Sequence, residues 1–320
     1  MIVFESAGMS CLQDLGRPGL QHLGVSESGA MDRFSACVAN ALLANDVNAP
    51  LLEITLNGTK LKIMHAQWFA VTGADLSAEL NGEPIPLCQP VFISENSILH
   101  FKRTQKGCRA YLAVQGGFAG EQVLGSVATD SRSGLGGFHG RWFQKNDQLA
   151  FQQTTQTKIQ NIHWHTRFAH PDFQPDEPLY FIAGTHWQHL TEKQRTQFQQ
   201  QAWRVSAQSD RMGIRLDNAF SGDNFSQSEL SSAVAFGCIQ LPPDNCPIIL
   251  TADRQSTGGY PVIGTVASVS HSGLAQCKPG DTLNFMSMPL EQAQHLLAQR
   301  DIEFTRWQQH LLSWWQNANA

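Results

Sequence analysis

The chain has 320 residues, of which 42% are apolar and 15% are charged, and its formal net charge at pH 7 is −5. This length suffices for two domains of about 150 residues each, or for one large β-rich domain, with a sizeable core. The acidic balance and a sequence pI near 6.2 leave no stripe of Lys and Arg to neutralise phosphates, which argues against nucleic acid as a partner.

Seven cysteines are scattered along the chain without any C-x-x-C spacing. This pattern favours free thiols in a reducing compartment over a disulfide framework or a zinc site. The first ten residues lack the basic and apolar regions of a secretory signal, and no run approaches the roughly 18 apolar residues of a membrane span. We therefore expect a soluble, cytoplasmic protein that does not act on a membrane.

Short strands and turns dominate the first half of the chain. Strands are predicted at residues 59–64, 68–72, 91–94, 98–102 and 109–114. The pair Asn81 and Gly82 predicts a hairpin with a type I′ turn, and two prolines in its second arm place that arm at a sheet edge. One helix is predicted over residues 31–44, where apolar residues recur at helical spacing and Asn45 supplies a stop.

The second half has the same character. Strands are predicted at residues 179–183, 203–207, 238–241, 248–251, 262–269 and 282–286. A helix with Thr191 as its N-cap is predicted over 191–202, and helical sequence covers 289–316, with a break expected near 301–303.

A Pro-rich, Gln/Thr-rich stretch before residue 178 marks the best linker. The prediction is an N-terminal β domain at 1–155, a linker at 156–178, a second β domain at 179–288 and a helical tail at 289–320. The segments that end the two β domains, 146–151 and 280–285, share an Asp-x-Leu-x-Phe pattern. This weak echo is compatible with two related β domains.

Two glycine-rich segments in the first half are candidate ligand loops. The first joins Arg17 to Ser28 and Asp32 at the start of the predicted helix, where free backbone N–H groups favour anions. It is either an anion loop or a helix cap, and for Asp32 we favour the cap. The second, residues 125–141, has His139 at the last position of a G-x-G-x-x-G pattern and lacks a β-α-β context, so a P-loop or Rossmann site is rejected.

The most informative segment is DRQSTGGYP at 253–261, which follows the apolar strand PIIL at 247–250. Charged and hydroxyl side chains at the end of a core strand, next to paired glycines, suit the binding of a small polar molecule. The alternative is a tight turn with a structural ion pair between Asp253 and Arg254. The local density of polar groups favours a site.

A second polar cluster, SDRMGIRL at 209–216, has two arginines four positions apart. Arg211 and Arg215 are able to hold a carboxylate or a phosphate bidentately. An ion pair between Asp210 and either arginine is an equal alternative. Metal binding is not expected, because His163, His165 and His170 lie in the linker and the pair His186 and His189 lacks a zinc-protease context.

Taken together, these segments resemble the allophanate hydrolase subunit 2 family, also called the KipA or biotin-dependent carboxyltransferase-like family, and within it the 5-oxoprolinase members. The resemblance runs in order through residues 10–286 and rests on DLGR at 14–17, GAMD at 29–32, RAYLAVQGG at 109–117, GS at 125–126, GR at 140–141, SDRMG at 209–213, GCIQ at 237–240, PIIL at 247–250, DRQSTGGYP at 253–261, LAQ at 274–276 and PGD at 279–281.

The resemblance implies a mainly β fold of two cyclophilin-like β-barrel domains, with a few helices and the helical tail. It implies a complex with a KipI-like protein and a lactam-utilisation-type protein, which hydrolyses 5-oxo-L-proline to L-glutamate with ATP, and with Mg²⁺ accompanying the ATP. A chain of this kind is expected to be inactive alone. Two alternatives stay open: the carboxyltransferase component of a biotin-dependent urea carboxylase, with biotin on another chain, and a KipA-like regulator that binds a KipI-like partner.

Within this family hypothesis, the candidate catalytic residues are Asp253, Arg254 and Arg211. Asp253 is the candidate to orient water or act as general base, with the positioning of Arg254 as its alternative role. The candidate substrate-binding residues are Asp210, Arg215, Gln240, Gln255, Thr257, Gly258, Gly259, Tyr260, Arg17 and Arg141.

Overall fold

The computed structural model describes residues 1–153, 166, 168, 177–221 and 230–318. The chain divides into two compact units. The first comprises Met1–Arg17, Ser28–Asp172 and Ile302–Ala320, and the second comprises Pro18–Glu27 and Phe173–Asp301. Most of the predicted linker, with His163, His165 and His170, lies outside the described residues, so the predicted domain boundaries stay predictions.

Among the described residues of the first unit, eleven strands and one helix precede the C-terminal segment. In chain order they are β1 (Ile2–Ser6), β2 (Met9–Gln13), α1 (Arg33–Leu42), β3 (Leu51–Thr55), β4 (Lys60–Ile63), β5 (Gln67–Asp75), β6 (Ala78–Leu80), β7 (Glu83–Pro84), β8 (Pro90–Ile93), β9 (Ile98–Phe101), β10 (Lys106–Val114) and β11 (Gln148–Leu149). The sheet orders are β11-β1-β4-β9-β6-β7 and β2-β3-β10-β5-β8.

The two sheets of this unit share one apolar core. Side chains from both sheets, such as Phe4 and Phe101 from the first and Leu52 and Leu112 from the second, belong to a single buried cluster. Because successive side chains of a strand point to opposite faces, the intervening residues of β10 cover the other face. There Tyr111 packs in a second cluster with residues of α1.

Helix α1 begins at a capped and anchored N-terminus. Asp32 is its N-cap and accepts a hydrogen bond from the backbone N–H of Ser35, which confirms the capping role preferred from the sequence. The backbone N–H of Asp32 donates to the Tyr111 hydroxyl at 2.7 Å, and that hydroxyl donates to Glu53 at 2.9 Å. Burial, followed by the charge of Glu53, raises the pKa of Tyr111 well above its usual range.

The described part of the second unit contains one six-stranded sheet and two short two-stranded sheets. Its elements are β12 (Leu179–Ala183), α2 (Glu192–Gln200), β13 (Trp203–Arg204), β14 (Gly213–Arg215), β15 (Ser232–Ala233), β16 (Cys238–Gln240), β17 (Ile248–Leu250), β18 (Thr257–Gly258), β19 (Val262–Val266), α3 (His271–Ala275), β20 (Thr282–Leu283) and β21 (Phe285–Ser287). The large sheet runs β14-β17-β16-β19-β12-β21, and Phe181, Phe198 and Trp203 lie in its core.

Several local predictions are confirmed. Asn81 and Gly82 both have positive φ and connect β6 to β7, and β7 is an edge strand. Thr191 caps α2 through a capping box with Gln194.

The expected break near residue 301 is wrong: a single helix, α4, spans Leu290–Ala318. No glycine or proline interrupts this stretch, so no residue in it opposes helical backbone geometry.

The mainly β class and the helical C-terminal segment are confirmed, with 33% of residues in strands and 21% in helices. Closure of the sheets into barrels is not detected among the described residues. Within the same residues, no helix is both long and apolar enough to cross a membrane.

Candidate functional site

The segment after β17 is held in place by the segment before β14. These two strands pair antiparallel, which brings residues 251–254 alongside residues 211–212. Three hydrogen bonds fix this contact: Thr251 N–H to Met212 O at 2.9 Å, Thr251 Oγ1 to Arg211 O at 2.7 Å, and Asp253 N–H to Arg211 O at 2.8 Å. The two polar clusters that the sequence singled out therefore meet at one end of the sheet.

Arg211 and Asp253 form a bidentate ion pair at this contact. Nε of Arg211 donates to Oδ2 of Asp253 at 2.8 Å, and Nη2 donates to Oδ1 at 3.0 Å. Both side chains are buried, where a paired fork geometry is stronger and more directional than a single charged contact. Asp253 therefore holds the Arg211 guanidinium in one orientation.

Arg254 has a different carboxylate partner, Glu27. Nη2 of Arg254 donates to Oε2 of Glu27 at 2.7 Å, while its Nη1 and Nε donate to the carbonyl oxygens of Thr251 and Val234 at 3.3 and 3.4 Å. Glu27 belongs to Pro18–Glu27, the short part of the second unit that comes from the N-terminal sequence. Sequence reasoning missed Glu27, because no motif or spacing connects it to a residue 227 positions away.

Gln240 and Gly258 form the neighbouring part of the site. A Cβ on Gly258 would lie 2.4 Å from Nε2 of Gln240, so any larger residue at this position would force the Gln240 amide to move. The same amide nitrogen donates to the carbonyl oxygen of Tyr260 at 3.4 Å. The buried amide of Gln240 thus lies against Gly258 and donates to Tyr260, the two neighbours of Gly259.

The other predicted residues of the 253–261 segment lie nearer the surface. Gln255 and Thr257 are exposed, Gly259 is half-buried, and Tyr260 is 43% exposed. Exposed polar groups here adjoin the two buried ion pairs in sequence. Residues 253 and 254 accordingly form a buried, charged base, and residues 255–260 form a more accessible rim.

Asp210 and Arg215 are not part of the buried pairs. Oδ1 of Asp210 accepts hydrogen bonds from the backbone N–H groups of Met212 and Gly213 at 2.8 and 3.2 Å, so Asp210 shapes the turn before β14. Arg215 is exposed on that strand, while its neighbour Ile214 is buried. The structure therefore brings Arg211, Asp253 and Arg254 together and gives Asp210 a turn-forming contact.

The two candidate arginines of the first unit make contacts within that unit. Arg17 is buried, and its guanidinium donates to the carbonyl oxygens of Ala128 and Val123. Arg141 forms a bidentate ion pair with Asp147, with distances of 2.7 and 2.9 Å. This hydrogen bonding from Arg141 is the main cause that lowers the pKa of Asp147.

The site is chemically suited to polar recognition by arginine and backbone donors. Its two arginines and two carboxylates balance in charge, because each guanidinium is paired with one carboxylate. Among the described residues, no three His, Cys, Asp or Glu side chains cluster closely enough to hold a metal ion. Cys238 is buried on the adjacent strand β16.

Most of the chain matches a known protein family. A family profile described as the carboxyltransferase domain, subdomain A and B, matches residues 23–287. The chain belongs to the carboxyltransferase-domain family. The match includes Glu27, Arg211, Asp253 and Arg254, so both ion pairs of the site lie inside the family's domain.

This carboxyltransferase-domain chain also resembles individual proteins. It is 33% identical over 304 residues to the C subunit of 5-oxoprolinase from Haemophilus influenzae, covering 94% of this chain and 95% of that protein. It is 32% identical over 299 residues to the corresponding 5-oxoprolinase chain of Escherichia coli, covering 92% and 93%. The crystal structure of Kluyveromyces lactis urea carboxylase matches with a TM-score of 0.82 at 28% identity, covering 94% of this chain and 28% of that chain.

Proposed function

We propose that this chain is one component of an ATP-dependent 5-oxoprolinase complex, which hydrolyses 5-oxo-L-proline to L-glutamate. The observation that carries the proposal is the near end-to-end similarity to two 5-oxoprolinase chains, of which the alignments cover 95% and 93%. By contrast, the matched urea carboxylase is a much longer chain, of which only 28% is covered. The proposal therefore favours the protein class whose length this chain shares.

The chemistry explains why ATP is needed. A five-membered lactam is an unreactive amide, and transfer of the γ-phosphoryl group to its oxygen makes the ring carbon electrophilic. One water then adds to that carbon while the C–N bond breaks, and a second water releases the phosphate. ATP, 5-oxoproline and two waters thus give ADP, phosphate and glutamate, and donors that stabilise negative charge are the main requirement.

In this proposal Arg211 is the anion-binding group of the second unit. Its fork geometry suits the substrate carboxylate or a phosphate, and the bidentate contact with Asp253 holds it in one orientation. Arg215 is the exposed second donor for the same anion. Arg254, fixed by Glu27, anchors the rim at residues 255–260, where backbone N–H groups contact the reacting oxygen.

Asp253 is proposed to position Arg211. A more demanding hypothesis, that Asp253 also acts as a general base toward water, is tested separately. The two roles differ in one measurable way. A general base contributes its own ionisation to the acidic limb of the pH–rate profile, whereas a positioning carboxylate lowers turnover without that limb.

ATP with Mg²⁺ is proposed to bind mainly through a partner protein. The glycine-rich segment at 125–141 does not have the pattern of a P-loop, so this chain has no recognisable loop of its own for a triphosphate. The proposed partners are a KipI-like protein and a lactam-utilisation-type protein. Cytoplasmic location follows from this role.

A second candidate is the carboxyltransferase component of a biotin-dependent urea carboxylase. The specific support is the TM-score of 0.82 with a urea carboxylase, together with the family description. In that case biotin arrives on another chain and carries the carboxyl group to be transferred.

One experiment separates the two candidates. The chain is co-purified with the KipI-like and lactam-utilisation-type partners, and glutamate formation from 5-oxoproline is measured with and without ATP. The same chain is then combined with a biotinylated carrier and a biotin carboxylase, and urea carboxylation is followed with ¹⁴C-bicarbonate. ATP-dependent glutamate formation that requires this chain supports the first proposal, whereas urea carboxylation without glutamate formation overturns it.

A further inference from the structure

The rim of the site includes a two-stranded ribbon, which β15 and β18 form together with Val234 and Ser256. Strand β18 pairs antiparallel with β15, so that Thr257 lies opposite Ala233. The backbone N–H of Val234, which directly follows β15, donates to the carbonyl oxygen of Ser256 at 3.2 Å. Because two strands alone are marginally stable, the position of this ribbon depends on the contacts that anchor it.

The ribbon is anchored at both ends by buried residues. At one end, Nε of Arg254 donates to the carbonyl oxygen of Val234 at 3.4 Å, while Nη2 of the same guanidinium donates to Glu27 at 2.7 Å. At the other end, a Cβ on Gly258 would lie 2.4 Å from the amide nitrogen of Gln240. The backbone between these contacts is therefore held in place before substrate binds, as preorganised catalysis requires.

The register of the ribbon determines which backbone donors of the rim are already used. In an antiparallel pair of strands, hydrogen-bonded and non-hydrogen-bonded residue pairs alternate. Since Val234 is hydrogen-bonded to Ser256, the pair of Ala233 and Thr257 is a non-hydrogen-bonded one. The N–H of Gly258 accordingly faces β15, whereas the N–H of Thr257 points away from it.

The N–H of Thr257 is a donor that the protein itself leaves available. Among the residues that the structure describes, none accepts a hydrogen bond from it. Thr257 is also exposed, so a substrate at the rim is able to reach this group. An accessible N–H on a fixed backbone is the kind of group that stabilises an oxyanion during acyl transfer.

We propose that the backbone N–H of Thr257 donates a hydrogen bond to the reacting oxygen of the substrate, an inference that rests on the 5-oxoprolinase function proposed above. The oxygen concerned belongs to the water that adds to the phosphorylated ring carbon. It develops negative charge in the tetrahedral intermediate, and its two protons pass to the ring nitrogen. The C–N bond then breaks to give γ-glutamyl phosphate, which the second water hydrolyses to glutamate and phosphate.

Glu27 and Arg254 are positioning residues in this arrangement. Arg254 contacts the ribbon at Val234, and Glu27 holds the guanidinium that makes this contact. Both act on the donor through the ribbon and do not touch the reacting atoms. Because the donor stabilises charge that is present only in the transition state, these residues should affect kcat more than KM.

Proline substitution removes a backbone N–H, and the ribbon offers a matched pair of positions for it. Thr257→Pro and Ala233→Pro change the two members of one non-hydrogen-bonded pair, so neither removes a hydrogen bond between the strands. In the assembled complex, kcat for 5-oxoproline should be roughly 10²-fold to 10³-fold lower in Thr257→Pro than in Thr257→Ala, which keeps the N–H. Ala233→Pro should retain the wild-type kcat.

Folding is checked by the midpoint of urea unfolding, and assembly by size exclusion. A wild-type complex that forms no glutamate overturns the proposed function, and this inference with it. When the wild type is active, equal kcat in Thr257→Pro and Thr257→Ala overturns this inference alone, and so does an equal loss in Ala233→Pro.

Glu27→Gln decides the matter where Thr257→Pro fails to fold. This variant keeps an oxygen that accepts from Arg254 and removes the charge that strengthens the contact. It should lower kcat and leave the KM for 5-oxoproline unchanged. A raised KM with kcat preserved, or no change in either constant, overturns the inference.

Discussion

Oε2 of Glu27 accepts a 2.7 Å hydrogen bond from Nη2 of Arg254, although the two residues are 227 positions apart in the chain. Their side chains are 10% and 6% exposed, so the pair is largely removed from water. A buried charge that loses its partner is costly to the folded state, because desolvation is no longer offset by attraction. The pair thus ties Pro18–Glu27 to the rest of the second unit.

Glu27→Ala should therefore destabilise the protein by about 3 kcal/mol. The measurement is the midpoint of urea unfolding followed by tryptophan fluorescence. Glu5→Ala is the matched control, since the Glu5–Lys60 pair is exposed on both sides and should cost less than about 1 kcal/mol. Equal midpoints for both variants would show that the buried pair contributes no more than a surface one.

Asp253→Asn in the assembled complex should lower ATP-coupled 5-oxoproline turnover by about 10²-fold if Asp253 is a general base. The variant also removes the charge that fixes Arg211, so assembly is checked first by size exclusion. Asp217→Asn, an exposed residue of the same unit, serves as the control. Near-normal turnover in an assembled Asp253→Asn complex would end the general-base assignment.

Arg211→Lys should lower kcat/KM for 5-oxoproline almost as far as Arg211→Ala, because a lysine supplies a point charge without the paired donors that Asp253 engages. Apparent KM for 5-oxoproline is measured together with kcat. A rise in KM with kcat preserved supports substrate binding by Arg211. Full activity in Arg211→Lys would contradict the bidentate role.

Gly258→Ala should destabilise the second unit by about 1–3 kcal/mol, because the new Cβ would lie 2.4 Å from the buried Gln240 amide. The double variant Gly258→Ala/Gln240→Ala removes the clash and should recover part of the loss. Unfolding midpoints of the two single variants and the double variant form a cycle. Additive effects would contradict a direct contact between these residues.

The Arg141–Asp147 pair predicts an acid-dependent contribution to stability. Hydrogen bonding from Arg141 lowers the pKa of Asp147 below its usual range, so the contribution is fully present above the unfolded aspartate pKa of about 4 and is lost as pH falls through the folded value. Arg141 is 35% exposed, so the effect should stay below about 1 kcal/mol. The difference in urea midpoint between wild type and Asp147→Asn should shrink as the pH is lowered from neutral to below about 4; a constant difference would contradict this.

Co-expression with a KipI-like partner should give a stable complex. The test is size-exclusion chromatography at micromolar concentration, with the partner expressed alone as control. Two species that elute separately would contradict the proposed role in a complex.

The sequence alone determined the local structure, because turn chemistry and capping act over a few residues. Asn81-Gly82 specified its hairpin, Thr191 its capping box and Asp32 its helix start, and the period of the apolar residues indicated a mainly β chain. The same local signals misled at residues 301–303, where charged residues suggested a break although each is compatible with a helix. Family membership was also recognisable from motifs in order along the chain.

Only the tertiary structure decided which charges meet. Arg211 and Asp253 were singled out from sequence as one site, and Asp210 and Arg254 were equally available as their partners by proximity in the chain. The pairing of β14 with β17 selected Asp253 for Arg211, and the excursion of residues 18–27 into the second unit selected Glu27 for Arg254. Ion pairing depends on distance in space, and a single sequence contains no signal for a contact across 227 positions.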